Sequence, residues 1–206
     1  SVRFTYITLG NHDGNLANTT RLDSVSPIVS AVAASNVVCC RTSGQYPLPH
    51  GAALTVFSLF DMPAWSSLAP DPNATFNVAT YHGPIAGAMS DGGWTVDHGD
   101  MTLDRFSGYD LLLLGDIHKQ QVFERSGVPW GAYPGSLIQQ NYGEDQHKGY
   151  LLWDVGVGKL TSVSFREIRN KSPYVTVMAH EALASHGIEP GTTPRVRVMV
   201  PRSASG

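Results

Sequence analysis

Leu111-Leu112-Leu113-Leu114 is the feature that most limits how this chain can fold, because four consecutive apolar side chains between Asp110 and Gly115 leave nothing to turn toward water. Successive side chains of a strand point to opposite faces, so this run predicts a strand covered on both sides, inside a layered sheet. Gly115 permits a sharp turn at the carboxyl end of that strand, where open α/β sheets gather their ligands. Asp116 and His118 would then project from a short loop and could reach one metal cluster. Taken alone, Asp-x-His reads more simply as a turn residue and a surface imidazole; two other segments change that weighting.

A chain of 206 residues is long enough for one well-buried domain, or a domain with part of a second. Lys and Arg number 14 against 17 Asp and Glu, a net charge of −3, so there is no basic footprint of the kind that holds nucleic acid by charge alone. If DNA is the substrate, metal ions and a few local cations must recognise the phosphates. Cys39 and Cys40 are adjacent, too constrained for a mutual disulfide, and read as small strand residues in a reducing, intracellular setting. No apolar run approaches the ~20 residues of a membrane span, and no signal peptide is visible, so the expected location is cytoplasmic. The chain begins at Ser1 and runs almost directly into a strand, which predicts a piece whose amino-terminal part is absent.

Along the chain, Phe4 to Leu9 alternates β-branched and aromatic residues and predicts a strand ending in Gly10-Asn11-His12-Asp13-Gly14. Asp23 or Ser24 would cap a helix reaching about Ser35, with Pro27 in its first turn, and Asn36 to Cys40 returns as a strand. Ser43 to Gly51 has loop or hairpin composition, Ala53 to Phe60 is a strand, and the prolines of Asp61 to Asn73 forbid regular helix. Phe76 to Tyr81 is a strand delivering His82-Gly83-Pro84, after which a glycine-rich stretch to Asp100 predicts a long functional loop. Gln121 to Glu124, Trp130 to Tyr133, Gly149 to Val155 and Leu160 to Ile168 read as mainly antiparallel strands, the last pair turning at Gly156-Val157-Gly158-Lys159. From Pro173 a second unit begins: strand Tyr174 to Met178, a short helix Glu181 to His186 capped by Gly187, and strand Arg195 to Val200.

Three strands thus end in potential ligands: Asn11 with His12, then His82, then Asp116 with His118. An amide oxygen, imidazoles and a carboxylate, without a ligating thiolate, suit Mn²⁺, Fe²⁺ or Zn²⁺ in a hydrolytic site rather than a structural zinc. Paired metals about 3.5–4 Å apart bind phosphate and lower the pKa of a bridging water, which is phosphoester hydrolysis.

Gly10-Asn11-His12-Asp13, followed in order by His82-Gly83 and Gly115-Asp116-Ile117-His118, resembles the motif set of the calcineurin-like metallophosphoesterases. Tyr133-Pro134-Gly135-Ser136 and Lys148-Gly149-Tyr150-Leu151-Leu152-Trp153-Asp154 are similar to the SbcD-type DNA repair exonucleases, especially viral and phage versions. The resemblance covers roughly residues 4 to 170 and, more faintly, the start of a capping domain. It implies an α/β fold, a metallophosphoesterase β-sandwich flanked by helices, truncated at its amino terminus. Residues 1–170 would be the partial nuclease domain and 171–206 the start of a small β-α-β capping domain.

By the same resemblance Asn11, His82 and Asp116 hold one of two divalent ions, with Mn²⁺ favoured, and His118 holds the other. His12 faces the scissile phosphate, protonating the leaving oxygen or stabilising the transition state, with Asp13 orienting or polarising it. Asp116 departs from the commoner Gly-His-x-His pattern, which shifts the metal preference toward harder ions. The family's first two motifs, an Asp-x-His and a Gly-Asp-x-x-Asp that supplies the bridging carboxylate, precede Gly-Asn-His-Asp and have no counterpart in this sequence, so this piece alone is expected to be inactive.

The resemblance implies a DNA exonuclease and endonuclease subunit working with an SMC-like ATPase, homodimeric at full length. The alternatives are a phosphatase or phosphodiesterase on a small substrate, and a non-catalytic protein keeping the fold to bind a partner. His50, His98, His147, His180 and His186 follow no converging strand end and are set aside. Lys119, Gln120 and Gln121 could touch substrate phosphate but serve equally as a solvated face. Trp65, Trp94, Trp130 and Trp153 count as core or loop anchors.

Overall fold

The computed structural model describes residues 3–97, 101–156, 159–179, 181 and 186–200. Its framework is a six-stranded sheet in the order β3-β4-β5-β6-β8-β7, built from β3 (Gly44–Pro47), β4 (Ala53–Phe57), β5 (Asn77–His82), β6 (Leu111–Gly115), β7 (Gln121–Arg125) and β8 (Val128–Tyr133). β4, β5, β6 and β8 run parallel, and the two edges, β3 and β7, are antiparallel. β6, the leucine strand, lies inside. Leu112 and Leu114 face one cluster with Phe57, Ala79, Tyr81, Phe106, Tyr109, Trp130 and Tyr133. Leu111, with Leu113 beside it, faces a second cluster of Cys40, Leu54, Val56, Phe76 and Val78. A strand apolar at every position has found a layer on each side, as period-two alternation requires.

β1 (Thr5–Thr8) and β2 (Val37–Cys40) form a separate parallel pair, whose Tyr6, Val38 and Cys40 pack on the second cluster together with Trp153. Trp153 belongs to a long antiparallel hairpin of β9 (Gly149–Gly156) and β10 (Lys159–Glu167). β11 (Tyr174–Met178) and β12 (Arg195–Met199) pair in parallel. The expected helix between them falls mostly on 182–185, and its turn counterpart on 157–158; both lie outside the described residues, as do His98 and His180. The protein is a mixed α/β molecule dominated by sheet, and no described helix is long and apolar enough to cross a membrane.

Several boundaries differ from the sequence reading. α1 spans Ser26–Val32 and does not reach Ser35, because Ala33 turns left-handed (φ 50°) and its N–H closes on Val29 O. β4 stops at Phe57, where Ser58 leaves the ladder to donate from its hydroxyl to Arg41 O. Trp94 is no anchor: it is 62% exposed, at the end of a tight turn in which its N–H bonds Ser90 Oγ. The strands from Gln121 to Glu167 pair antiparallel as expected, β7 with β8 and β9 with β10, and the departure is that β8 also joins β6 in parallel after the β7 hairpin has reversed the chain.

Asp23 secures the β1-α1-β2 unit. Its buried carboxylate accepts hydrogen bonds from Val25 N (2.9 Å), Ser26 N (2.6 Å), Ser26 Oγ (2.7 Å) and Arg41 Nε (2.8 Å). Burial alone would raise its pKa, but the bonds from Ser26, Arg41 and Val25 outweigh that and hold it at about 2, against an ordinary 3.8. At about 1.4 kcal/mol per pH unit, the charged form contributes about 2 kcal/mol. The folded value is the lower one, so this contribution is complete above about pH 4 and fades as the pH falls toward 2. Asp23→Asn is expected to cost about 2 kcal/mol at pH 7, with the gap narrowing between pH 4 and 2 in urea unfolding. A gap constant across that range would contradict the role given to the charge.

Candidate metal centre

The parallel arrangement brings the carboxyl ends of β5 and β6 side by side, His82 pairing with Gly115 in register. The turn after β1 lies against both. Asn11 Nδ2 donates to Asp116 Oδ1 at 3.3 Å, and His82 Nε2 stands 3.7 Å from the same oxygen. Asn11, His82 and Asp116, which together span more than a hundred residues of sequence, therefore meet. His12, Asp13 and His118 are close enough to act electrostatically on His82. Burial lowers the His82 pKa; the carboxylates of Asp116 and Asp13 push it up, His12 and His118 push it down, and the net result lies below the ordinary imidazole value. A histidine held neutral keeps a lone pair for a cation.

Two glycines make room for that imidazole. A Cβ on Gly10 would stand 2.6 Å from His82 Cε1, and one on Gly115 would stand 2.7 Å from Nδ1. The ring is thus held between two backbones, and neither position tolerates a side chain without moving it. Gly115→Ala is expected to cost about 1–3 kcal/mol in stability and to turn His82 away from Asp116, read as a changed His82 ring environment by NMR. An unaltered ring would show that this close packing does not fix the imidazole.

Asp116 has φ 93°, a conformation sparsely populated by residues other than glycine, and such strain concentrates at functional sites. Asp13 makes its hydrogen bond within the turn, Oδ2 accepting from Gly10 N at 2.7 Å, so it shapes the loop that presents Asn11 and His12. His12 is exposed beside this cluster.

His118 is held from the other side. Its Nδ1 lies 2.9 Å from Oε1 of Glu144, a buried carboxylate that also meets Ser136, Gln140, Asn141 and Lys148. Burial would raise the Glu144 pKa, but the bonds from His118, Gln140 N and Ser136, with the charge on Lys148, bring it below the ordinary value. Asp116, His118 and Glu144 line an open cleft of about 400 Å³ with Ser90, Asp91, Gly92 and Asn141. Sequence reading gave no role to Glu144 or Asp91, and quoted Ser136 and Lys148 only within the segments that carry the resemblance. For Glu144 the available signal was the polar density of residues 133–144, which marked the segment without singling out a side chain; Asp91 had none.

The donor set consists of a carboxylate, imidazoles and a carboxamide, with no thiolate, and it fits a cation of the Mn²⁺ type. Among the described residues no three His, Cys, Asp or Glu form a metal-holding group by themselves; His82 and Asp116 would be completed by the Asn11 carboxamide, rotated to present its oxygen. His50, His147 and His186 lie elsewhere, the last two beside Glu167 and Glu181.

No family model matches the chain. Among curated proteins it is similar to an uncharacterized protein of Acanthamoeba polyphaga mimivirus, 36% identical over an alignment 180 residues long, with 82% of this chain covered. The chain spans 13% of the length of that viral protein.

Proposed function

We propose that these residues belong to a metal-dependent phosphodiesterase acting on DNA, a nuclease of the metallophosphoesterase type. The observation that carries the reading is the meeting of Asn11, His82 and Asp116 at the carboxyl ends of three strands, with His12 exposed alongside. His82 and Asp116, with Asn11, would hold one divalent ion and His118 a second, Mn²⁺ being the expected metal. When bound, such ions supply an activated water and charge neutralisation at the phosphate.

The chain's own residues do the rest. His82, kept neutral by burial, offers a lone pair, and Asp116 offers the anionic oxygen. His12 lies outside the contacts that fix the ligands, free to give a proton to the leaving oxygen. Gly10 and Asp13 set the turn that aims it. DNA as substrate, a homodimer and an SMC-like ATPase as partner rest on the resemblance carried by Tyr133 to Ser136 and Lys148 to Asp154. The net charge of −3 and the carboxylates of the cleft give DNA no help from long-range attraction.

The test compares linear duplex DNA with a small chromogenic phosphodiester, using the complete gene product with Mn²⁺ or EDTA. Mn²⁺-dependent cleavage of DNA is expected. Turnover of the small ester alone would make the protein a phosphodiesterase of another substrate class, and inertness toward both would make it a partner-binding relative.

A further inference from the structure

We infer that Glu144 is a positioning residue that fixes the tautomer of His118, leaving Nε2 unprotonated and free to bind a cation. The proposal rests on the metallophosphoesterase reading only for what Nε2 meets; the tautomer itself follows from hydrogen-bond chemistry.

Every acceptor site of the Glu144 carboxylate is used. Oε1 faces His118 Nδ1 at 2.9 Å and Asn141 Nδ2 at 2.8 Å. Oε2 faces Ser136 Oγ at 2.9 Å, Gln140 N at 3.1 Å and Lys148 Nζ at 3.5 Å. Gln140 N donates to Oε2 and Asn141 Nδ2 to Oε1, and the Lys148 ammonium sets its positive charge beside Oε2, an environment that favours the ionised carboxylate, which can only accept. The imidazole nitrogen facing it must then carry the hydrogen. A neutral ring has one N–H, so Nε2 keeps its lone pair.

The backbone of His118 is held by the same unit. Its carbonyl accepts from Ser136 N at 3.1 Å and from Lys148 Nζ at 2.7 Å. Lys148, 3% exposed, also donates to Asp91 Oδ2 at 2.6 Å, tying the long β5–β6 loop to the site. Gly135 packs so close that a Cβ there would stand 2.7 Å from His118 O. Ring and main chain of His118 therefore have one orientation, set by residues 135–148. A network serving stability alone would not need the imidazole at all, and that difference can be measured.

The 206-residue chain is examined by long-range ¹⁵N–¹H correlation of its histidine rings, His118 being assigned by the signal lost in His118→Gln. The native ring is expected as the Nδ1–H form. Glu144→Gln, which brings an NH₂ group into a ring of donors, is expected to abolish that preference. Ser136→Ala, which removes another bond to the same carboxylate, is expected to keep it. Mn²⁺ affinity by calorimetry should weaken about 10–100-fold in Glu144→Gln and change little in Ser136→Ala. A native His118 with a hydrogen on Nε2, whether as the Nε2–H form or as the imidazolium, or a Glu144→Gln chain that keeps the Nδ1–H form, overturns the proposal; where Glu144→Gln does not fold, the native spectrum decides by itself. A tautomer that switches as expected in a chain indifferent to Mn²⁺ upholds the positioning role and sinks the metal reading instead.

Discussion

In the complete gene product, His12→Ala is expected to lower Mn²⁺-supported cleavage by about 10²–10⁴-fold, the range typical of a lost general acid, while leaving metal affinity nearly intact. The reason is positional. Asn11 and His82 converge on one oxygen of Asp116, whereas His12 acts on that group only at a distance and is exposed. Asp116→Ala is expected to behave differently, weakening metal binding first and recovering part of its activity in excess Mn²⁺. Cleavage measured against Mn²⁺ concentration, with affinity by calorimetry on the same variants, separates the two patterns. A His12→Ala protein that lost metal as severely as Asp116→Ala would make His12 a ligand; one that cut at the native rate would remove it from the chemistry.

The largest effect on stability is expected from Phe57→Ala. Phe57 is fully buried where β4 meets the cluster under β5 and β6. Its ring meets Phe106 edge-on at 5.0 Å between centroids, with Tyr109 at 6.1 Å and Trp65 at 6.4 Å, and the Arg105 guanidinium lies 5.3 Å above it. Such aromatic pairs add to the burial of the side chain itself. Truncation to alanine in a packed core costs about 3–5 kcal/mol, which in a chain of this size lowers Tm by about 2–4 °C per kcal/mol. Thermal unfolding followed by circular dichroism checks this. A loss below about 1 kcal/mol would mean that the cluster collapses around the gap and is not closely packed.

How far the sequence could be read depended on whether a residue's role repeats along the chain. Leu111 to Leu114 signalled a doubly covered strand because burial on two faces leaves a mark at every position. The strand ends were legible too, since Gly10 and Gly115 punctuate them and place Asn11, His12, Asp116 and His118 at loop starts. The order β6-β8-β7 was not legible: nothing local tells a strand to pair with a neighbour two elements back. Glu144 escaped for a related reason. A single buried carboxylate has no period, and in the run Gly143-Glu144-Asp145 it looks like any solvated turn until Ser136, Asn141 and Lys148 are folded around it. Trp94 misled in the opposite sense, because an aromatic side chain predicts burial by type while a turn closed by Gly93 and Ser90 leaves it outside.

Asn11 after β1, His82 at the end of β5 and Asp116 after β6 are proposed to share one cation. Substoichiometric Mn²⁺ reports on this through paramagnetic broadening, read on the assigned histidine rings of this chain. The signals of His12, His82 and His118 are expected to vanish first and together, while those of His50 and His147 persist, and Asp116→Ala is expected to shift this loss to higher Mn²⁺. Broadening that is uniform across the histidines, or that begins at His147 and His186 beside Glu167 and Glu181, would contradict it.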